Sequence, residues 1–167
     1  AVLAADSRTG EIIVYIGSGD FYGTRDGQID GVRIKSQPGS CLKPFLYALA
    51  LEEGRLANDI LPDLPSEFGG SPAYIPRNFN QSYHGPVRFR VALASSLNIP
   101  AVLLLSEIGA ARFFGFLQDA GFSLEGTFPE ETGLGLALGN GRVSLFEMVR
   151  AYTAFSGDGT VIPLCGI

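Results

Sequence analysis

A serine and a lysine stand three residues apart at the start of an apolar run, at Ser40 and Lys43. If residues 40–53 form a helix, the two side chains share one face, because positions three apart are neighbours on a helix. Ser40 would lie in the first turn, where backbone N–H groups lack partners and the helix dipole is positive. This setting suits a serine nucleophile, since the lysine amine takes the hydroxyl proton and nearby N–H groups hold the oxyanion.

The residues after the pair support a helix that starts at this point. Pro44 is tolerated only in a first turn, and Gly54 is typical of a helix end. Lys35 and Lys43 are the only lysines of the chain. A serine-x-x-lysine pattern also arises by chance, so a helix-capping serine beside a solvated lysine is the alternative that these residues leave open.

A second candidate is the tripeptide Ser96-Leu97-Asn98, between a helix predicted at 89–95 and one that Pro100 opens. A loop between helices is a good platform for two short polar side chains aimed into a cleft. The alternative is that Ser96 or Asn98 only caps the following helix, because both residue types are preferred caps.

Four segments, in order along the chain, resemble class A penicillin-binding proteins, most closely their 1C branch. The region of Ser40 and Lys43 is similar to the acylating S-x-x-K, which serine β-lactamases share, and Ser96-x-Asn98 to the second motif, S-x-N. Several collinear matches are far more specific than one short motif. The segments are VLAADSRTGEIIVYIGSGDF, DGVRIKSQPGSCLKPFLYALAL, YIPRNFNQSYHGPVRFRVALASSLNIPAV and LGLALGNGRVSLFEMVRAYTAFSGDGT, at residues 2–21, 30–51, 74–102 and 134–160.

The resemblance implies a penicillin-sensitive D-Ala-D-Ala transpeptidase that acts on peptidoglycan stem peptides through an acyl-serine. It assigns the nucleophile to Ser40, the proton acceptor to Lys43, the proton shuttle to Ser96 and substrate-amide binding to Asn98. β-Lactams would enter the same site. We expect no cofactor and no metal. The resemblance implies a membrane-anchored parent on the periplasmic side of the bacterial inner membrane.

The third motif of this family, Lys-Thr/Ser-Gly, is absent, since no lysine follows Lys43. We therefore interpret residues 1–167 as a partial transpeptidase domain that stops before the later sheet strands. The resemblance also implies a preceding glycosyltransferase domain and a membrane anchor, neither of which we find. Weak or no activity is expected of the fragment, because the missing strand would supply half of the oxyanion hole.

The order of elements predicts an α+β fold, with a helical subdomain beside an antiparallel sheet. A hairpin with strands near 2–5 and 12–16 and a loop fill residues 1–39. An unpaired hairpin edge invites another chain, so we expect the fragment either to pair this edge with a neighbour, as in edge-strand self-association, or to depend on a separate piece that supplies the missing strands. The active-serine helix occupies 40–56 and is followed by an irregular crossover at 57–86. A helical region at 87–160 has helices near 89–95, 100–107, 110–120 and 144–156 and a glycine-rich turn at 133–141.

Composition excludes several classes of function. A net charge of −5 argues against a nucleic-acid footprint, and no apolar stretch is long enough to span a membrane. One histidine and two distant cysteines make a zinc site improbable. His84 is read as a loop hydrogen-bonder. A disulfide between Cys41 and Cys165 stays open, because sequence does not show whether the geometry fits.

Two other functions use the same first two motifs. A β-lactamase-type hydrolase would need an added acid to activate water, for which Glu130 and Glu131 are the nearest candidates, although a solvated loop also accounts for both. A non-catalytic β-lactam sensor would acylate at Ser40 without making cross-links. The rate of deacylation distinguishes the hydrolase from the transpeptidase.

Overall fold

The chain forms two compact units in the computed structural model, which describes residues 1–23, 25–69, 74–124 and 126–166. Its helices and short antiparallel strand pairs confirm the predicted α+β class. The first unit contains Ala1–Gln37, Leu117–Gly126 and Arg142–Ile167, and the second contains Pro38–Phe116 and Thr127–Gly141.

The predicted hairpin opens the first unit, with β1 at Val2–Ala5 and β2 at Ile12–Ile16. Asp6 shapes its turn, because Asp6 Oδ1 accepts hydrogen bonds from the backbone N–H groups of residues 8 and 9, at 2.8 and 2.9 Å. The backbone of Cys165 runs alongside the start of β2: Ile12 N donates to its carbonyl oxygen at 2.9 Å. This end of β2 is therefore paired within the chain.

The first unit holds a second strand pair that sequence reasoning missed. β3 at Lys35–Ser36 pairs with β6 at Val143–Ser144. β3 lies within the segment before Ser40 that is predicted as a loop. Two residues are too few to show an alternating pattern. β6 leads into α6 at Leu145–Tyr152, which begins with a capping box. A 3₁₀ turn at Thr153–Ser156 follows α6, and the two together cover most of the helix predicted at 144–156.

Three helices of the second unit contact one another. A 3₁₀ turn at Gly39–Leu42 leads into α1 at Lys43–Glu52, so the predicted helix begins as 3₁₀ and becomes α at the lysine. α2 covers Phe89–Ala94 and α3 covers Asn98–Ile108. α3 starts two residues earlier than predicted, and Pro100 still falls in its first turn, where a missing N–H breaks no helical bond. The core of this unit includes the buried side chains of Leu42, Leu46, Leu49, Phe89, Ile99, Leu104 and Leu105.

The predicted irregular crossover contains a strand pair, which corrects that interpretation. β4 at Ile60–Asp63 pairs antiparallel with β5 at Gly85–Arg88. Pro62 lies opposite Pro86 in the register, and proline is normally a sign against a strand. A two-stranded ribbon has only edges, so both prolines are accommodated. The ribbon brings Asp63 to a fully buried position.

The remaining helices are α4 at Ala110–Asp119 and α5 at Pro129–Thr132. The glycine-rich turn predicted at 133–141 is a 3₁₀ helix at Gly133–Leu138 that ends on Gly139 in the left-handed conformation, with φ +86°. Within the described ranges, no single helix has the length and apolarity to cross a membrane; α3 and α4 meet that criterion only jointly, across a 95° bend.

Candidate active site

The ammonium group of Lys43 lies at the centre of the candidate site. Its side chain is only 1% exposed and belongs to the first turn of α1. Nζ donates hydrogen bonds to the carbonyl oxygen of Ser96 at 2.6 Å, to Asn98 Oδ1 at 2.7 Å and to Ser96 Oγ at 3.2 Å. Both predicted residues of the second motif therefore contact the predicted base.

Burial sets the acid–base character of this amine. It lowers the pKa of Lys43 from 10.5 to about 8, because the charged form loses its hydration. Among the residues that the structure describes, no carboxylate forms an ion pair with Lys43 to offset this effect. About a tenth of the lysine is consequently neutral at pH 7, which is the form that accepts a proton.

Ser40 lies one turn ahead of the lysine in the 3₁₀ helix, and its side chain is exposed. The backbone N–H of Lys43 donates to the carbonyl oxygen of Ser40, which fixes the turn between them. The spacing of three residues thus puts both side chains on successive levels of one short helical segment. The exposed hydroxyl is accessible to a substrate.

Gly139 presses against the backbone immediately before Ser40. A Cβ added at Gly139 would lie 2.4 Å from Gly39 N and 2.5 Å from Gly39 Cα, closer than any real side chain packs. Gly139 also has φ +86°, which glycine adopts without strain. Sequence reasoning described this glycine only as part of a turn, and the glycine-rich run was the one signal available for the close approach.

Ser96 has a backbone conformation that is unusual for a non-glycine residue, with φ +52°. It terminates α2 in the manner of a Schellman motif: Leu97 N donates to the carbonyl oxygen of Ala92 at 3.0 Å, and Ser96 N to that of Leu93 at 2.9 Å. Glycine usually occupies this place, and a serine costs about 1 kcal/mol there. Such a residue suggests that the side chain itself is needed.

The amide orientation of Asn98 follows from its other hydrogen bonds. Nδ2 donates to the carbonyl oxygen of Arg77 at 2.7 Å, so Oδ1 is the atom that faces Lys43. The backbone N–H of Asn98 donates to Asn78 Oδ1 at 2.8 Å. Sequence reasoning did not single out Asn78, and nothing in its local sequence shows that it meets a residue twenty positions away.

The other side chains weighed from the sequence lie elsewhere. His84 hydrogen bonds within the ribbon, as expected, with Nδ1 2.8 Å from Asp63 Oδ2. Glu130 and Glu131 are exposed on α5. The side chains of Cys41 and Cys165 are both exposed. No group of three or more histidine, cysteine, aspartate or glutamate side chains in the described ranges could hold a metal ion.

Comparison with known proteins gives a consistent picture. The sequence pattern of the penicillin binding protein transpeptidase domain matches residues 1–167. Penicillin-binding protein 1C of Escherichia coli is 37% identical over 161 residues, which are 95% of this chain and 20% of that protein. Penicillin-binding protein 1A of Haemophilus influenzae is 38% identical over 128 residues, which are 75% of this chain and 15% of that protein.

Solved structures agree with the sequence relatives. The crystal structure of penicillin-binding protein 1A from Haemophilus influenzae superposes with a TM-score of 0.88 at 31% identity, over 98% of this chain and 24% of that chain. PonA1 from Mycobacterium tuberculosis has the same fold, with a TM-score of 0.82 at 21% identity over 97% of this chain and 44% of that chain. This chain spans about a fifth of the length of the Escherichia coli relative. It belongs to the family of penicillin binding protein transpeptidase domains.

Proposed function

We propose that the whole protein is a serine-type D-Ala-D-Ala transpeptidase that cross-links peptidoglycan and is acylated by β-lactams. The observation that carries the proposal is the buried amine of Lys43, which lacks a carboxylate partner in the described residues and contacts Ser96 and Asn98. Family membership supports the reaction class, and the geometry supports the division of labour among the residues.

The reaction would proceed through an ester on Ser40. Ser40 Oγ bonds to the carbonyl carbon of the terminal D-Ala-D-Ala link while Lys43 takes the hydroxyl proton. The C–N bond then breaks, and Ser96 passes the proton to the nitrogen of the departing D-alanine. An amine from a second stem peptide attacks the ester, forms the cross-link and returns a proton to Ser40. Asn98 would bind the substrate amide and keep Lys43 oriented.

A β-lactam would follow the first half of this path. Attack of Ser40 Oγ on the lactam carbonyl breaks the ring C–N bond and leaves a long-lived ester. The structure of PonA1 in complex with penicillin V is a precedent for the ligand class in a protein of the same fold. The reaction class requires substrates outside the cytoplasm, so we place the whole protein on the periplasmic side of the inner membrane.

The isolated chain of 167 residues should be weakly active or inactive. The backbone N–H of Ser40 would supply one oxyanion donor, and the family's Lys-Thr/Ser-Gly strand would supply the other. Since no lysine follows Lys43, this chain does not contain that motif. Loss of one oxyanion donor lowers rates by roughly two to three orders of magnitude.

The test is the intact mass of the full-length protein after incubation with benzylpenicillin. We expect a mass gain of one penicillin, lost in Ser40→Ala and retained in Ser95→Ala, the control at an exposed serine adjacent to Ser96. A gain that persists in Ser40→Ala would refute the assignment. With a stem pentapeptide, formation of a cross-linked dimer indicates transpeptidation, whereas release of D-alanine alone indicates carboxypeptidase activity.

A further inference from the structure

We propose that Asn78 is a positioning residue for the second motif, held in place by the buried carboxylate of Asp63; this inference rests on the proposed function. The two residues lie on the β4–β5 ribbon and its connection, a region that the reaction itself does not use. Together with the carbonyl of Arg77 we call them the clamp. The clamp holds Asn98 in the orientation in which it contacts Lys43.

Asn78 is almost completely buried, at 4% exposure, and its side-chain amide makes three hydrogen bonds. Nδ2 donates to Asp63 Oδ1 at 2.7 Å and to the carbonyl oxygen of Ser82 at 2.9 Å. Oδ1 accepts from the backbone N–H of Asn98 at 2.8 Å. A buried amide with three short bonds has one orientation, because any rotation leaves buried polar atoms unpaired.

Asp63 anchors this amide from the other side. Its side chain is fully buried at the end of β4. Oδ1 accepts from Asn78, while Oδ2 accepts from the backbone N–H of His84 at 2.9 Å and lies 2.8 Å from His84 Nδ1. A buried carboxylate requires several donors, and these come from Asn78 and from His84, the residue before β5. These hydrogen bonds therefore join Asn78 and His84 to the end of β4.

The clamp acts at the start of α3. The N–H of Asn98 is among the first-turn groups that lack a partner within the helix, and the preceding residue supplies no side-chain cap. Asn78 takes the place of that cap from a distant segment. With Arg77 accepting from Asn98 Nδ2, two consecutive residues hold both the backbone and the side chain of Asn98. Only Oδ1 is then left to accept from Lys43.

Removal of the clamp should change the protonation equilibrium of the Lys43 amine as well as the orientation of Asn98. Asn98 Oδ1 stabilises the charged form of Lys43 by accepting its hydrogen bond at 2.7 Å. An Asn98 side chain that is free to rotate presents its NH₂ group or moves away, so the lysine loses this support. We therefore expect the pH at which acylation is half-maximal to fall below its wild-type position, and the maximal rate to fall because the geometry is looser.

The experiment compares Asn78→Ala with Asn80→Ala in the full-length protein, with benzylpenicillin acylation measured by mass from pH 5.5 to 9.5. Asn80 is an exposed asparagine near Asn78 in sequence, and its side chain accepts a hydrogen bond from the backbone N–H of Ser82 at 3.2 Å. Asn78→Ala should lower the second-order acylation rate roughly 10- to 100-fold and shift the inflection to lower pH. Asn80→Ala should leave both at the wild-type values.

A rate and inflection in Asn78→Ala equal to those of Asn80→Ala would overturn the inference, and so would a lower rate at an unmoved inflection. Acylation that survives Ser40→Ala would instead defeat the proposed function, so the two failures are distinguishable.

A second pair of variants decides the matter if Asn78→Ala does not fold. Asn78→Asp places two carboxylates together and should lose acylation, whereas adding Asp63→Asn reverses donor and acceptor and restores the bond between the two side chains. Recovery should be partial, because the carbonyl of Ser82 loses its donor in the swapped pair. A double variant no more active than Asn78→Asp would refute the inference.

Discussion

The two lysines of this chain occupy contrasting sites. Lys35, in the first unit, hydrogen bonds to Ser123 and lies 3.8 Å from Glu147, with 27% of its side chain exposed. Lys43, in the second unit, is buried and contacts serine and asparagine oxygens, and it has no carboxylate partner in the described ranges. Both contact a serine, but Lys43 is buried without a carboxylate partner in the described ranges, whereas Lys35 is partly exposed beside a carboxylate.

The carboxylate beside Lys35 is that of Glu147, which also accepts hydrogen bonds from two serines. Burial raises the pKa of Glu147, but hydrogen bonds from Ser123 and Ser144 outweigh it and leave the pKa below its usual value. Glu147 therefore stays charged and serves the capping box of α6 as well as Lys35. A serine next to a lysine is thus a structural ion-pair network in one unit and a candidate catalytic site in the other.

The largest expected effect is that of Lys43→Met in the full-length protein, with Lys35→Met as its control. Lys43→Met should lower the rate of penicillin acylation by roughly two to four orders of magnitude, because the proposed general base is lost. Lys35→Met should change it less than about twofold, since surface ion pairs contribute little. Gel-based labelling with a fluorescent penicillin measures both, and equal effects would break the contrast between the two sites.

The pH profile sharpens the same contrast. With the pKa of Lys43 lowered to about 8, the neutral base becomes more abundant as pH rises. Acylation should increase about tenfold from pH 6 to pH 7 and level off above pH 8. Stopped-flow acylation across this range measures it, and a flat profile would mean that Lys43 is not the titrating base. Lys35→Met should leave the profile in place.

Ser96→Gly should separate catalysis from stability at the Lys43 site. Glycine relieves the left-handed backbone but increases the freedom of the unfolded chain, so stability should stay within about 1 kcal/mol of wild type. Acylation should fall roughly 10- to 100-fold, because the hydroxyl that we propose as the proton relay is gone. Ser95→Gly is the control, since Ser95 has φ −90° and no left-handed strain. Unfolding and labelling assays check both, and full activity in Ser96→Gly would remove Ser96 from the mechanism.

Gly139→Ala tests the packing behind Ser40. The added methyl group would overlap the backbone of Gly39, and the left-handed φ adds strain, so we expect a loss of about 2–4 kcal/mol in stability. Gly159→Ala is a matched control with φ +91°, where an added Cβ would meet no described atom within 4 Å beyond its chain neighbours. It should show only the cost of the left-handed backbone, about 1–2 kcal/mol. Urea unfolding measures the difference, and equal losses would show that the close approach is unimportant.

The smallest effect concerns Glu147 at the Lys35 site. Because its pKa is lower folded than unfolded, its contribution to stability is present above the unfolded value near 4.5 and disappears as pH falls through the lowered folded value. Glu147→Gln should reduce this acid-dependent part of the stability curve without changing penicillin acylation at pH 7. Thermal melts at pH 3 to 7 check the first expectation, and slower acylation in Glu147→Gln would link this network to the reaction.

Elements with a strong local pattern were predictable. The opening hairpin, the helix after Ser40 and the helix around Pro100 agree with the structure to within a few residues. The β4–β5 ribbon was not predictable, because Pro62 and Pro86 disguise strands whose pairing is decided by a partner more than twenty positions away. The same holds for β3, whose two residues pair with β6 more than a hundred positions later.

The sequence by itself determined which chemical groups are available and their local spacing. Ser40 and Lys43 are three residues apart, Ser96 and Asn98 are two apart, and the matching segments identify the family. Only the tertiary structure decided that Lys43 is buried and bonded to both residues of the second motif, that Gly139 backs the serine turn, and that Asn78 and Asp63 clamp Asn98. Each of these depends on burial or on contact between distant segments, and a local pattern of residues encodes neither.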